Sequence, residues 1–244
     1  MRYKLADTVF EIDTLWPATH RLLADYRTDA PADFRIKTER ADAEAERTIA
    51  EGKRLSDAYF ETLAVQRKVS HALLEKDVLL FHGSAISMDG AGYIFTAPSG
   101  TGKSTHARLW RERYGDRVSM VNDDKPFLKI ADSGAIIYGS PWDGKHRLSS
   151  NVSVPLRGIA ILVRAKENRI ERIDPSEALT ALMRQSYREE DVAGILPLIL
   201  KLAELVPIYR LHCNLDVSAA ETAYEGMSET TKTDSKQANK EGRG

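Results

Sequence analysis

The residues that most clearly could do chemistry form a glycine-rich run at 97–105, with the sequence Ala-Pro-Ser-Gly-Thr-Gly-Lys-Ser-Thr. A loop of this kind between a strand and a helix binds phosphate groups through its backbone N–H groups. Its lysine, Lys103, would contact the β- and γ-phosphates, and the hydroxyl of Ser104 would hold Mg²⁺. The residues predicted to bind a nucleotide are Ser99, Gly100, Thr101, Gly102, Lys103, Ser104 and Thr105.

The residues on either side of the loop fit a strand before it and a helix after it. Residues 92–96 are apolar, β-branched or aromatic, as in a strand, whereas Ala107, Leu109 and Trp110 suit a helix. The usual phosphate-loop pattern has glycine where this chain has Ala97. The context still favours a phosphate site over a glycine-rich turn without a ligand.

A pair of carboxylates, Asp123 and Asp124, follows another strand-like run further along the chain. If that strand lies beside the loop strand, both acids reach the bound phosphates. One acid would bind Mg²⁺ and the other would take the proton from an attacking hydroxyl. Two neighbouring carboxylates raise the pKa of one of them, which suits a base. The alternative is a solvated turn after a strand.

A third cluster, residues 139–147, is a Gly/Pro-rich turn that carries Trp142, Asp143, Lys145 and Arg147. Its cations are suited to clamp a transferring phosphate or an acidic acceptor. Lys145 is the first candidate for that role and Arg147 the second. The alternative is a surface hairpin turn with a packing tryptophan.

Composition narrows the class of protein. The chain has 244 residues, 42% hydrophobic and 29% charged, enough for one large domain or a domain with a small lobe. A net charge of −1 argues against a nucleic-acid partner. The single cysteine, Cys213, excludes an internal disulfide and fits a reducing cytoplasm. No run approaches the roughly 18 apolar residues of a membrane span, so we expect a soluble cytoplasmic protein without a membrane partner.

The order of the elements predicts an α/β fold of the α+β type. Strand-like runs dominate residues 78–162 with one obvious helix among them, which favours a mixed sheet over repeated βαβ units. Helices are expected at 175–187 and 193–205. The charged segment 38–53 has few large apolar residues and reads as a solvated face or loop. The predicted domains are an N-terminal lobe at 1–75, a nucleotide-binding domain at 76–227 and a disordered tail at 228–244.

Four segments together resemble the catalytic core of the HPr kinase/phosphorylase family: Phe81-His82-Gly83, 92–96, 99–104 and Asp123-Asp124. The loop with its later Asp-Asp is also similar to ATP-dependent phosphoenolpyruvate carboxykinase. The resemblance covers roughly residues 78–165. It implies a mixed-sheet nucleotide-binding core with a small N-terminal lobe and C-terminal helices, and phosphoryl transfer from ATP with Mg²⁺. It also implies that Asp123 is the base, that Asp124 lies nearer the metal and that His82 lies near the acceptor.

The chain departs from that family in two places. Pro155 stands where the family has an acid that helps to bind the metal, so we expect Asp143 to supply the second metal carboxylate. The basic glycine-rich loop associated with the reverse phosphorolysis has no clear counterpart here. The resemblance therefore implies a kinase rather than a kinase/phosphorylase, and an acceptor other than HPr.

Two classes of function remain open. The first is an ATP- and Mg²⁺-dependent kinase acting on a hydroxyl, expected to be a serine of a protein or of a ribosomally made peptide, since kinases similar to HPr kinase modify such natural-product precursors. The second is a regulatory protein that binds ATP without transferring phosphate, with residues 1–75 binding its partner. A small-molecule kinase is a third alternative, a carboxykinase is disfavoured by the short chain, and self-association is compatible with either class.

The other histidines offer weaker signals. His106 follows the phosphate loop on the helix and could equally be a surface residue. His20, His71 and His212 have no companions at metal-ligand spacing and are predicted to be structural. Cys213 is predicted to be a small buried hydrophobe.

Overall fold

The structure, a computed structural model, describes residues 1–50, 54–186 and 192–228. Most of the predicted tail, 229–244, therefore lies outside the described residues. Ser228 itself belongs to a helix at 218–228, here called α7. No helix within the described ranges is long and apolar enough to cross a membrane.

The first part of the chain forms a small sheet covered by helices. Its strands are β1 (Arg2–Leu5), β2 (Thr8–Asp13) and β3 (Phe34–Lys37), and its helices are α1 (Ala18–Leu22), α2 (Arg40–Ile49) and α3 (Asp57–Leu74), with a 3₁₀ turn at Ala24–Tyr26. β2 pairs antiparallel with β1 and parallel with β3. The packing joins the sheet to α3, because Tyr3 and Phe10 belong to the same buried cluster as Val69.

Of the two alternatives predicted for 38–53, a solvated face or a loop, the structure has a helix, α2, with a mostly exposed surface over its described part. Glu39 and Asp42 form a capping box that stabilises the first turn of the helix. On the face towards α3, Glu46 is buried and forms an ion pair with Arg67. Charged residues therefore make part of the contact that large apolar residues usually make, and the hydrophobic pattern missed the helix.

The rest of the chain builds a second sheet, which has nine strands among the described residues. The strands are β4 (Val78–Leu80), β5 (Ser84–Met88), β6 (Ala91–Thr96), β7 (Val118–Asn122), β8 (Phe127–Ala131), β9 (Gly134–Tyr138), β10 (Ser153–Arg164), β11 (Arg169–Arg172) and β12 (Ile208–Cys213). The main order is β4-β8-β9-β10-β6-β5-β7, and β12 lies between β10 and β11.

β10 joins the two halves of this sheet. Residues 153–155 pair antiparallel with β9, and after a register shift at Leu156–Gly158 the strand pairs parallel with both β6 and β12. The mixed sheet and the α+β class are thereby confirmed. The carboxyl ends of β6, β10 and β12 lie at one edge, where a ligand can bind.

Helices cover the large sheet around two buried clusters. They are α4 (Lys103–Tyr114), α5 (Pro175–Gln185), α6 (Val192–Leu205) and α7, with a 3₁₀ turn at Gly115–Arg117. Leu182 and Ile199 bring α5 and α6 into a cluster with β8 and β9, whereas Trp110 brings α4 into a cluster with β6. The predicted start of α5 is confirmed, because the Asp174 side chain accepts a hydrogen bond from Ser176 N and Pro175 is in the first turn.

Candidate functional site

The phosphate-binding loop lies between β6 and α4, as the sequence predicts. Gly100 and Gly102 have φ values of +79° and +127°, which L side chains rarely adopt, and a Cβ atom at either position would meet nothing within 4 Å. Ala97 is not among the positive-φ residues, and its buried methyl group belongs to the cluster of Phe95. Alanine therefore fits where the usual pattern has glycine, and the space above the loop stays open.

Lys103 is buried at the start of α4. Its Nζ donates a hydrogen bond to the carbonyl oxygen of Ala97 at 3.0 Å. Burial lowers the pKa of Lys103, and the negative charges of Asp124 and Asp123 oppose that shift. Asp123 also borders a cavity with Ser104, the residue that follows this lysine.

Sheet topology explains why the acids reach the loop. The sequence predicts that their strand lies beside the loop strand, but the order is β6-β5-β7, with β5 antiparallel to both neighbours. β6 and β7 are thus parallel and separated by one strand. Their carboxyl ends lie at the same edge, so Asp123 and Asp124 follow β7 near the point where the loop follows β6.

Asn122, which is fully buried, fixes the direction of the acid pair. Its Oδ1 accepts hydrogen bonds from the backbone N–H groups of Asp124 at 2.8 Å and Lys125 at 2.6 Å, and its Nδ2 donates to the carbonyl oxygen of Ser140 at 3.0 Å. The sequence analysis gave Asn122 no role. An asparagine that bonds backbone N–H groups two and three residues later is a recognisable turn signal.

Asp123 is buried between β5 and the 139–149 loop. Its Oδ1 accepts a hydrogen bond from Ser84 Oγ at 3.1 Å. A Cβ atom at Gly144 would lie 3.0 Å from Asp123 Oδ2, so glycine lets the loop backbone approach the carboxylate. The base predicted from the sequence is therefore held on two sides.

Asp124 is more exposed and lies beside His82. The His82 Nε2 is 3.4 Å from Asp124 Oδ1, and the His82 carbonyl accepts a hydrogen bond from Thr96 Oγ1 at 2.8 Å. Burial raises the pKa of Asp124, but the His82 hydrogen bond and the charges of Lys125 and Lys103 outweigh it, and the net pKa is lowered. A lowered pKa keeps Asp124 in its charged form, the form expected of the acid on the metal side.

The two acids line different cavities. Asp123 lines a cavity of about 360 Å³ together with Ser104, Thr105 and His146. Asp124 lines one of about 380 Å³ with His82, and another of about 710 Å³ that also contains Asp143 and Lys145. The cavities that contain the catalytic candidates thus meet at the two acids that follow β7.

Lys145 and Asp143 lie on the loop at 139–149, whose His146 borders the cavity of Ser104 and Thr105. Lys145 is exposed. The nearly buried Asp143 carboxylate accepts hydrogen bonds from Arg147 Nη1 at 3.3 Å and Ser149 Oγ at 3.0 Å. Within the described residues no group of three or more His, Cys, Asp or Glu side chains could hold a metal ion. The metal role of Asp143 therefore stays a prediction, and these bonds compete with it.

The predicted magnesium ligands border different cavities, Ser104 that of Asp123 and Asp124 the two others, so this metal site stays a prediction. Mg²⁺ is usually held by one or two carboxylates together with substrate phosphates, and it keeps several waters. A site of that kind needs no cluster of protein ligands, so the lack of one among the described residues does not argue against it.

α3 also reaches the site, which the sequence analysis missed. Lys125 Nζ donates a hydrogen bond to Gln66 Oε1 at 3.2 Å, and Trp142 Nε1 donates to the carbonyl oxygen of Thr62 at 3.1 Å. Burial lowers the pKa of Lys125, opposed by Asp124 and Glu46. Nothing in the local sequence of a helix marks Gln66 as a partner of a residue so far along the chain.

The remaining histidines and the cysteine are mainly structural. His106 is buried rather than on the surface: its Nε2 accepts a hydrogen bond from Trp110 Nε1 at 3.0 Å, and burial lowers its pKa to about 3. His20 bonds with Tyr3 and Thr14. His212 is half-buried and His71 exposed. Cys213 is half-buried, and burial raises the pKa of its thiol.

Comparison with known proteins gives one family and a distant structural likeness. The family model described as "SynChlorMet cassette protein ScmC" matches residues 56–223. No curated protein matches the chain. A solved structure titled "Structure of the Hpr(Ser) kinase/phosphatase from Coxiella burnetii" is similar with 13% sequence identity and a TM-score of 0.41, covering 65% of this chain and 96% of that one.

Proposed function

The chain belongs to the ScmC family of SynChlorMet cassette proteins, and from the geometry of its site we propose that it is an ATP- and Mg²⁺-dependent kinase that transfers the γ-phosphate to a hydroxyl group. One observation carries the proposal. The enclosed carboxylate of Asp123 and the phosphate-loop residues Ser104 and Thr105 line the same cavity of about 360 Å³. A base and a phosphate-binding loop that face one space are what transfer to a hydroxyl requires.

In this mechanism each residue has one task. The loop N–H groups bind the phosphates, and Lys103 balances their charge. Asp123 accepts the proton of the acceptor hydroxyl while the hydroxyl oxygen forms a bond to the γ-phosphorus. The bond between that phosphorus and the β–γ bridging oxygen breaks, and ADP leaves. Mg²⁺, bound by Ser104 and Asp124, would neutralise charge on the phosphates.

Two neighbours hold the acids in place for these tasks. The hydrogen bond from Ser84 orients the Asp123 carboxylate. His82 lies against Asp124 and favours its charged form, which is the form that binds a cation. We therefore assign His82 a positioning role, which places it at the metal side rather than at the acceptor.

We propose a serine of a protein or of a ribosomally made peptide as the acceptor, with Lys145 available for an acidic group beside it. Lys145 lines the cavity of about 710 Å³ that Asp124 also borders, and Asp123 borders the adjacent one. A protein that only binds nucleotide has no use for an enclosed carboxylate facing the phosphate loop. That feature favours transfer over the regulatory alternative.

The test follows labelled phosphate from ATP to serine peptides, small alcohols and water. Asp123→Asn should bind Mg-ATP about as tightly as the parent, because the base acts on the acceptor and not on bound ATP, yet should transfer on the order of 10²–10⁴-fold more slowly. The control is Asp132→Asn, an exposed acid in the β8–β9 turn, which should change neither quantity. If Asp123→Asn transferred phosphate at the full rate, Asp123 would not be the base. A parent that binds ATP but never transfers phosphate would favour the regulatory function.

A further inference from the structure

A cavity of about 530 Å³ opens beside the phosphate loop where the carboxyl ends of β6, β10 and β12 lie together. Residues 100–102 form its border with the loop. Thr105 lines both this cavity and the one that contains Asp123, so a ligand on the loop reaches both spaces. Cavities beyond the carboxyl ends of parallel strands are where open sheets bind ligands.

The lining of this cavity differs from that of the cavities around the acids. Leu109 and Leu162 are buried apolar walls, and Leu215 is an exposed one. Among the described lining residues there is no carboxylate, and Arg164 supplies a positive charge. A volume of several hundred Å³ with apolar walls and few polar groups is typical of a site for a small organic molecule.

Arg164 connects the cavity to the loop. Its Nε donates a hydrogen bond to the carbonyl oxygen of Thr101 at 3.1 Å, and its Nη2 donates to that of Gly100. These bonds hold two loop carbonyls and leave the planar guanidinium beside the cavity. Such a plane stacks well on an aromatic ring, and its charge suits a polyanionic ligand.

We propose that this space, the nucleoside cavity, takes the base and ribose of the ATP molecule whose phosphates lie on the loop. The proposal deepens the proposed function and rests on it. The base lies between the apolar walls and the Arg164 guanidinium, and the phosphates extend past Thr105 towards Asp123. The triphosphate then lies on the loop with the nucleoside on one side and the acids on the other.

Calorimetry in the presence of Mg²⁺ tests the proposal with two probes, ATP and inorganic tripolyphosphate. Ala165 lines the cavity, and Ala165→Trp should fill it. The parent should bind ATP at least about tenfold more tightly than tripolyphosphate, and Ala165→Trp should lose that difference while its tripolyphosphate affinity stays the same. Leu215 is exposed, so Leu215→Ala should not disturb folding. This variant should bind ATP more weakly and tripolyphosphate as tightly as the parent.

The matched control is Ala131→Trp, at an exposed position in the β8–β9 hairpin. It should leave both affinities unchanged. Equal affinity of the parent for the two probes, or undiminished ATP binding by both Ala165→Trp and Leu215→Ala, would overturn the nucleoside cavity while leaving the phosphate loop in place. Binding of neither probe by the parent would overturn the proposed function and this inference with it.

Discussion

Lys103 carries a charge that the fold has partly removed from water. Burial lowers its pKa, so the ammonium is less stable in the free protein than in solution, and a phosphate would restore the lost interactions. Lys103→Ala should therefore weaken Mg-ATP binding by at least about tenfold without lowering the melting temperature. Calorimetry and thermal unfolding measure the two effects.

Lys129→Ala is the matched control, since this lysine lies on β8 and is half-exposed. It should leave ATP affinity unchanged. If Lys103→Ala bound Mg-ATP as tightly as the parent, the loop would not be the phosphate site.

The same residues show what a sequence motif can and cannot predict about a site. The loop spacing predicted the place of Lys103, and the acid pair predicted that Asp123 and Asp124 lie near it. The pKa of Asp124 was not predictable, because it depends on His82 and Lys125, whose contacts are set by the tertiary structure. A motif identifies which groups meet, whereas their charge states depend on neighbours from other elements.

At the scale of elements, the sequence predicted strands and helices that have a clear apolar pattern and missed those in which polar and apolar residues are mixed. The strand β6 and the helices α5 and α6 fall close to their predicted ranges. β5 was missed because Ser84-Ala-Ile-Ser-Met88 is short and half polar, although it separates the two site strands. Its place between β6 and β7 is a matter of sheet order, which no local pattern encodes.

The buried His106 on α4 makes the free energy of unfolding depend on pH. The folded protein binds a proton on this imidazole only near pH 3, whereas the unfolded chain binds one near the ordinary value of about 6.5. Between those values the unfolded state holds the extra proton, so this contribution to stability is lost as the pH falls, at up to about 1.4 kcal/mol per pH unit.

His106→Gln should therefore flatten the fall in unfolding free energy between about pH 6.5 and pH 4, since glutamine does not titrate. Denaturant titrations at a series of pH values measure the slope. His71→Gln, at an exposed position, is the control and should keep the parent slope. An unchanged slope in His106→Gln would mean that the pKa of this imidazole is the same in the folded and the unfolded protein.

At the scale of the whole molecule, one buried cluster joins the small sheet to the large one. It includes Phe10 on β2, Val69 on α3 and Phe127 on β8. Glu61 on α3, which is fully buried, accepts hydrogen bonds from the backbone N–H groups of Leu15 at 2.6 Å and Trp16 at 3.0 Å. The boundary predicted near residue 75 therefore crosses a shared core.

A shared core predicts that the two sheets unfold together. Phe10 is fully buried, and Phe10→Ala should cost about 3–5 kcal/mol through lost burial and the cavity left behind. Hydrogen exchange should then speed up by the same factor in the slowest amides of β2 and β6, because both exchange through global unfolding. Leu200→Ala, at a half-exposed position on α6, should change the slow exchange little. Faster exchange in β2 with unchanged exchange in β6 would mean that residues 1–75 open independently. In that case the N-terminal lobe would be a separate domain, and the contacts of Gln66 and Thr62 with the site would break whenever that lobe opened.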